Sequence, residues 1–156
     1  MKRLASLGLA AVAAGVTVSC GALGPSGPEL DPNAVFEIQP ISAVIASTKD
    51  NGDAWDPDNS PPDISMRMWC TDGSSVTAEE METFEPRWTS GSCTSTVGRF
   101  QDSGVAIEIQ DLDPAGNDQV LPRIGIRPSN AEFLAGEMII SPTTQVPRLV
   151  LRLVRR

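Results

Sequence analysis

The chain has 156 residues, a formal net charge of −8, and neither histidine nor tyrosine. That length supports one domain with a single core. The acidic balance argues against nucleic acid as a partner, and the lack of histidine removes the commonest general base and the commonest zinc ligand together.

In chain order, Met1-Lys2-Arg3 is a positive head, and residues 4–18 are an uncharged run of Leu, Ala, Val and Gly, too short for a comfortable membrane span. Residues 1–19 read as an export signal. The run ends in Val16-Thr17-Val18-Ser19-Cys20, which resembles the lipobox cut by lipoprotein signal peptidase, with Thr17 standing where Leu or Val is preferred. The resemblance implies cleavage before Cys20, acylation of that cysteine with chains such as palmitate, and a lipoprotein held in the membrane of the cell envelope. The alternative is an ordinary secretory cut at a site such as Ala11-Val12-Ala13. Losing Lys2 and Arg3 with the signal leaves ten basic against twenty acidic residues, a net of −10. Each buried methylene of an acyl chain contributes about 0.8 kcal/mol, so two or three chains would make attachment effectively permanent. Gly21 rather than Asp follows Cys20, which favours the outer membrane. Cysteine parity agrees with lipidation: Cys70 and Cys93 remain as a pair, expected as a disulfide in an oxidising compartment, with two buried free thiols as the alternative.

Residues 20–33 follow as a Gly- and Pro-rich tether, and residues 34–156 form the folded domain. Thirteen glycines and thirteen prolines punctuate short stretches rich in Val, Ile, Thr and Trp, a pattern that favours an all-β fold. A first strand is expected over 35–45 with a bulge or edge at Pro40, then a long polar loop over 49–62. Ile64, Met66, Met68 and Cys70 alternate with Ser65, Arg67 and Trp69, which puts the first set on the core side of a strand. A third strand is expected within 76–84, where residues 78–82 also suit a helical turn. Residues 88–97 are small, polar and Thr-rich. Val105, Ile107 and Ile109 alternate with Ala106, Glu108 and Gln110 in a strand that runs into Asp111.

A short strand follows at 124–126, and Ser129 with Glu132 has capping-box spacing. Residues 138–140 form a further strand. The alternation of Leu149, Leu151 and Leu153 gives a last strand over 148–154, although a helix with Arg148, Arg152, Arg155 and Arg156 on one face also fits. Seven to eight short strands make a single antiparallel β-sandwich.

Two acidic clusters fall at strand ends: Asp56, Asp58 and Asp63 in the first loop, and Asp111, Asp113 and Asp118 in a later one. Calcium takes six to eight oxygens from flexible loops, and it relieves carboxylates that repel one another. Here the chain resembles the C2 domain family. Pro62-Asp63-Ile64 stands where that family opens its second strand, Thr83-Phe84-Glu85-Pro86-Arg87-Trp88 matches its Thr-x-x-Pro-x-Trp turn, and Asp111, Asp113 and Asp118 with Ile124-Gly125 match its third loop. Three motifs in order are more specific than any one. The departures are a third loop one residue short, extra residues before Ile124-Gly125, and a choice of Asp56 or Asp58 for one ligand position. The resemblance implies a C2-like sandwich and calcium ligands at Asp63, Asp111, Asp113 and Asp118, completed by Asp56 or Asp58. The same residues also suit turns and solubility with no ion.

Apolar loop tips and a lysine-rich strand, which the resemblance associates with membrane docking, are missing: Asn59, Ser60 and Pro61 are polar or rigid, and Leu112 is the one large apolar residue of the later acidic stretch. Expected partners are therefore the membrane through lipid on Cys20, a calcium ion, and a protein at the acidic loop end. Trp55, Trp69 and Trp88 are either exposed anchors for that partner or, more often for such residues, core. The expected function is a non-catalytic interaction or envelope module; the alternative is a structural envelope lipoprotein whose acidic loops hold no metal. A glycosidase using Glu108 and Asp111 is a third reading, with no catalytic motif behind it.

Overall fold

The computed structural model of the protein describes residues 29–114 and 116–156; the expected export signal, the expected acylation site Cys20 and the expected tether up to residue 28 lie outside the described residues. Among the described residues, nine strands form a sandwich of two antiparallel sheets, accompanied by two short helices. One sheet has the order β5-β1-β9-β8, and the other has β3-β2-β6-β7 with β4 paired to β2.

The first sheet is built on β1 (Val35–Val44) and β9 (Arg148–Arg155), paired along nearly their whole length, with a register shift between Pro40 and Ser42. Proline lacks the N–H a ladder needs, so the bulge falls where the sequence places it. Strand β9 buries Leu149, Leu151 and Leu153 on one face, and the helical alternative for these residues does not form. The flanking strands are β5 (Cys93–Thr96) and β8 (Glu137–Ile140).

The Thr83–Trp88 turn serves a structural purpose. β5 covers only Val35 to Ile38 of β1; beyond the bulge, Ala43 N–H donates to Pro86 O at 3.2 Å, Ile45 N–H to Phe84 O at 2.8 Å, and Trp88 N–H to Ile41 O at 3.0 Å. The turn thus satisfies backbone groups that would otherwise be left as an open edge.

In the second sheet, β2 (Asp63–Trp69) turns Ile64, Met66 and Met68 inward, and β6 (Val105–Asp111) turns in Val105, Ile107 and Ile109. The expected strand at 76–84 is two pieces, β3 (Ser75–Thr77) and β4 (Met81–Glu82), both on β2. Between them Glu79 leaves the ladder to hold the 89–90 segment. Its Oε1 accepts from Thr89 N–H at 2.8 Å and its Oε2 from the Ser90 hydroxyl.

These bonds, the Ser90 hydroxyl first, hold the Glu79 carboxyl down at about 2, against 4.5 without them. A depressed carboxyl contributes stability that is complete above its unfolded value and is lost as pH falls through the folded one. Melting curves between pH 4.5 and 2 should therefore fall more steeply for the native chain than for Glu79→Gln; equal slopes would remove this latch from the account.

Strand β7 (Asp118–Ile126) is longer than the expected 124–126 and begins at an aspartate. Helix α1 (Val97–Asp102), where the sequence pattern assigns no element, is capped by Thr96 and buries Val97 and Phe100; six residues carry too little periodicity to announce a helix. Helix α2 (Asn130–Ala135) has the expected capping box, and Gly136, at φ 73°, ends it in the left-handed conformation that glycine adopts without strain. Phe133 packs on Phe36 with ring centroids 4.8 Å apart. Cys70, just past β2, is bonded to the buried Cys93, with Cα atoms 5.4 Å apart, and so ties the two sheets together. Trp55 and Trp88 are core residues. Trp69 is half-buried with the guanidinium groups of Arg67 and Arg123 over its ring, at 5.1 and 4.1 Å.

Candidate metal centre

The acidic residues gather at the end of the sandwich where β1 stops and β2 begins. Strands β6 and β7 form a hairpin whose last cross-strand pair is Asp111 opposite Asp118. Two like charges facing each other across a ladder are unfavourable. The alternation that buries Ile107 and Ile109 carries on to Asp111, whose side chain is completely inaccessible. Asp113 lies in the connecting loop, and one carboxylate oxygen from each of Asp111, Asp113 and Asp118 lies within 4.8 Å of the others.

Asp111 is half satisfied. Its Oδ1 accepts the Asp63 backbone N–H at 2.7 Å, while its Oδ2 is buried with no hydrogen-bond partner among the described residues. Burial, opposed by that one bond and reinforced by the charges of Asp113 and Asp56, pushes the Asp111 carboxyl up to about 6. Asp113 is also raised, by desolvation first and then by the Asp56 carboxyl beside it.

Asp56 thus joins the group from the first loop. Asp58, which lines the same cleft, accepts from Ser60 N–H at 3.0 Å, a local turn bond that lowers its own carboxyl. Asp63 is outside the converging set. Its neighbour Ile64 faces the core opposite Asp111, and a tight turn from Ile64 N–H to Pro62 O, at 3.1 Å, brackets Asp63 at the start of β2. What Asp63 supplies is backbone: its N–H to Asp111, and its carbonyl to Leu112 N–H at 3.0 Å. Glu108 and Asp111, the pair of the glycosidase reading, lie on opposite faces of β6 by strand alternation.

Sequence reasoning missed Lys49. The first loop folds tightly there: Lys49 N–H donates to Asp53 O and Gly52 N–H returns to Lys49 O, both at 2.9 Å. Trp55 anchors the loop through Nε1 to Ala46 O at 2.8 Å. Lys49 Nζ is ion-paired with Asp118 Oδ2 and lies 5.7 Å from the centroid of the Trp55 ring. Its ammonium is held above the usual lysine value by the Asp118 bond first, with Asp111 and Asp113 adding to it. The two are 69 positions apart, and no local pattern in a long polar loop announces such a pair. Between the loops lies an open cleft of about 660 Å³, lined by Lys49, Trp55, Asp56, Asp113 and Pro114 among others.

No protein-family model and no curated protein sequence matches the chain. Solved structures do. A fragment of extended synaptotagmin 2 carrying its SMP domain and both C2 domains, A and B, is 21% identical, with a TM-score of 0.54 over 80% of this chain and 27% of that one. The paired C2 domains of extended synaptotagmin 2, described as calcium bound, are 18% identical, with a TM-score of 0.53 over 80% and 46%. The first C2 domain, A, of plant extended synaptotagmin 1 is 11% identical, with a TM-score of 0.50 over 81% and 97%. The chain thus spans between a quarter and a half of the first two, and at these identities the likeness establishes the fold: a C2-type β-sandwich.

Proposed function

We propose that the chain is a lipid-anchored, non-catalytic module of the cell envelope, attached through Cys20 to the outer membrane, whose loop end binds calcium and presents the occupied site to a protein partner. The observation that carries this reading is Asp111 Oδ2, a buried carboxylate oxygen without a partner among the described residues, set among oxygens that converge within 4.8 Å. An orphaned buried acceptor is costly and calls for a ligand. An all-oxygen, all-carboxylate donor set suits a hard cation. Asp111, Asp113 and Asp118 would hold the ion, with Asp56 at the rim. The bound ion would supply positive charge that neutralises the facing pair and draws the first and third loops together.

Anchoring rests on the Val16–Cys20 motif. The domain is compatible with it: the described chain enters at the Val35 end of β1, while the acidic loops lie at the Val44 end, where Arg148 opens β9. A ten-residue strand is roughly 33 Å long, so the tether joins the domain far from the loops and leaves them accessible.

One observation favours the alternative of an inert acidic end, namely that Lys49 already neutralises part of the charge. Melting the purified 29–156 domain in chelator and in millimolar calcium separates the two. The proposal expects a rise of several degrees with calcium that disappears in Asp113→Asn; equal melting temperatures would favour the alternative. Cys20→Ala in the full-length chain is expected to release it from the membrane fraction, and retention there would remove the anchor.

A further inference from the structure

We infer that Lys49 is a resident counter-ion of the acidic loop end, a side chain that holds Asp118 when no metal is bound and competes with the metal for that carboxylate. Only the second half of this role rests on the calcium reading.

Three observations point to this role. Lys49 comes from the first loop, whereas its partner opens β7 in the second sheet, so the pair fastens together the two loops between which the cleft opens. The ammonium meets one member of a facing pair of like charges, Asp118, while the other, Asp111, keeps an oxygen without a donor among the described residues. The Lys49 ammonium lies over the Trp55 ring, 5.7 Å from its centroid, and Trp55 is itself fixed by its bond to Ala46 O. The ammonium is therefore placed by the fold rather than free to roam.

The carboxylates of Asp111, Asp113 and Asp118, with Asp56 beside Asp113, carry four negative charges, which the Lys49 ammonium reduces to three. The site therefore still attracts a divalent cation with Lys49 in place. Metal entering against Lys49 must displace the ammonium from Asp118 or share the carboxylate with it, and either route weakens binding. A unit charge a few ångströms from a divalent ion in a partly hydrated site corresponds to an affinity difference of about tenfold.

The test is Lys49→Met, which keeps a long unbranched side chain and loses the charge, with Lys49→Arg as the control that keeps it. In chelator, Lys49→Met should lower the melting temperature by about 2–5 °C, Lys49→Arg should change it little, and Lys49→Met should cost much less in an Asp118→Asn background. Equal losses in both backgrounds would overturn the counter-ion role. In calorimetric titration with calcium chloride, Lys49→Met should bind about tenfold more tightly than the native domain. Unchanged affinity would overturn the competition while leaving calcium binding in place. If neither protein took up calcium, the calcium reading would fall and the competition with it, and the chelator cycle would still decide the counter-ion role.

Discussion

Replacing Asp111 by asparagine is expected to raise the stability of the metal-free domain and to abolish its response to calcium. The native carboxylate is completely buried, accepts one hydrogen bond, and has its carboxyl raised from 3.8 to about 6. At neutral pH the folded state therefore carries a charge it would rather not hold. A shift of that size corresponds to a penalty of about 3 kcal/mol. The sign follows from protonation. Below about pH 4 both folded and unfolded chains are protonated there and no penalty exists; it grows as pH rises through about 6. Asparagine keeps an acceptor for the Asp63 N–H, removes the charge, and turns donors toward the Asp113 and Asp118 oxygens. A gain of about 1–3 kcal/mol in chelator, measured by urea unfolding at pH 7, is the expected result. Asp111→Ala should gain less or lose, since the Asp63 N–H is then left without its acceptor. A destabilised Asp111→Asn domain would show that Asp111 is satisfied in a way this account overlooks.

The second large effect is expected at Cys70–Cys93. The bond joins residues 23 positions apart, and the chain-entropy model gives about 3 kcal/mol for a loop of that length. It links the end of β2 in one sheet to β5 in the other, so its loss also frees the two layers from each other. The double variant Cys70→Ser, Cys93→Ser should melt about 10 °C below the native domain, and a reducing agent should act on the native domain in the same direction. A difference of only a degree or two would mean that sheet packing alone holds that end closed.

Much of the fold is legible in the sequence because burial imposes a period of two. The alternation of Ile64, Met66 and Met68, of Val105, Ile107 and Ile109, and of Leu149, Leu151 and Leu153 each predicts a face that the structure buries. Pro40 marks a bulge and Ser129 with Glu132 marks a helix start, because both act through their own backbone neighbours. What escapes is set by distant contacts. The break between β3 and β4 depends on Glu79 reaching residues 89–90, and α1 on Phe100 finding the core near Phe133.

The candidate site divides in the same way. Asp111 is readable as the last inward residue of its strand, and its proximity to Asp113 follows from sequence. That Asp118 pairs across the ladder with Asp111 requires the register of β7, which begins earlier than the apolar pattern suggests. Family likeness puts Asp63 at a ligand position, whereas the bond it makes to Asp111 comes from its backbone N–H, which no side-chain pattern reveals. Lys49 is invisible because charge compensation across 69 residues leaves no local trace.

The most direct measurement is a crystal structure of the 29–156 domain grown in millimolar calcium. A cation coordinated by Asp111 Oδ2 together with oxygens of Asp113 and Asp118, with Lys49 moved off Asp118, is the predicted result. An ordered loop end with Lys49 still paired to Asp118 and no cation beside Asp111 would contradict it.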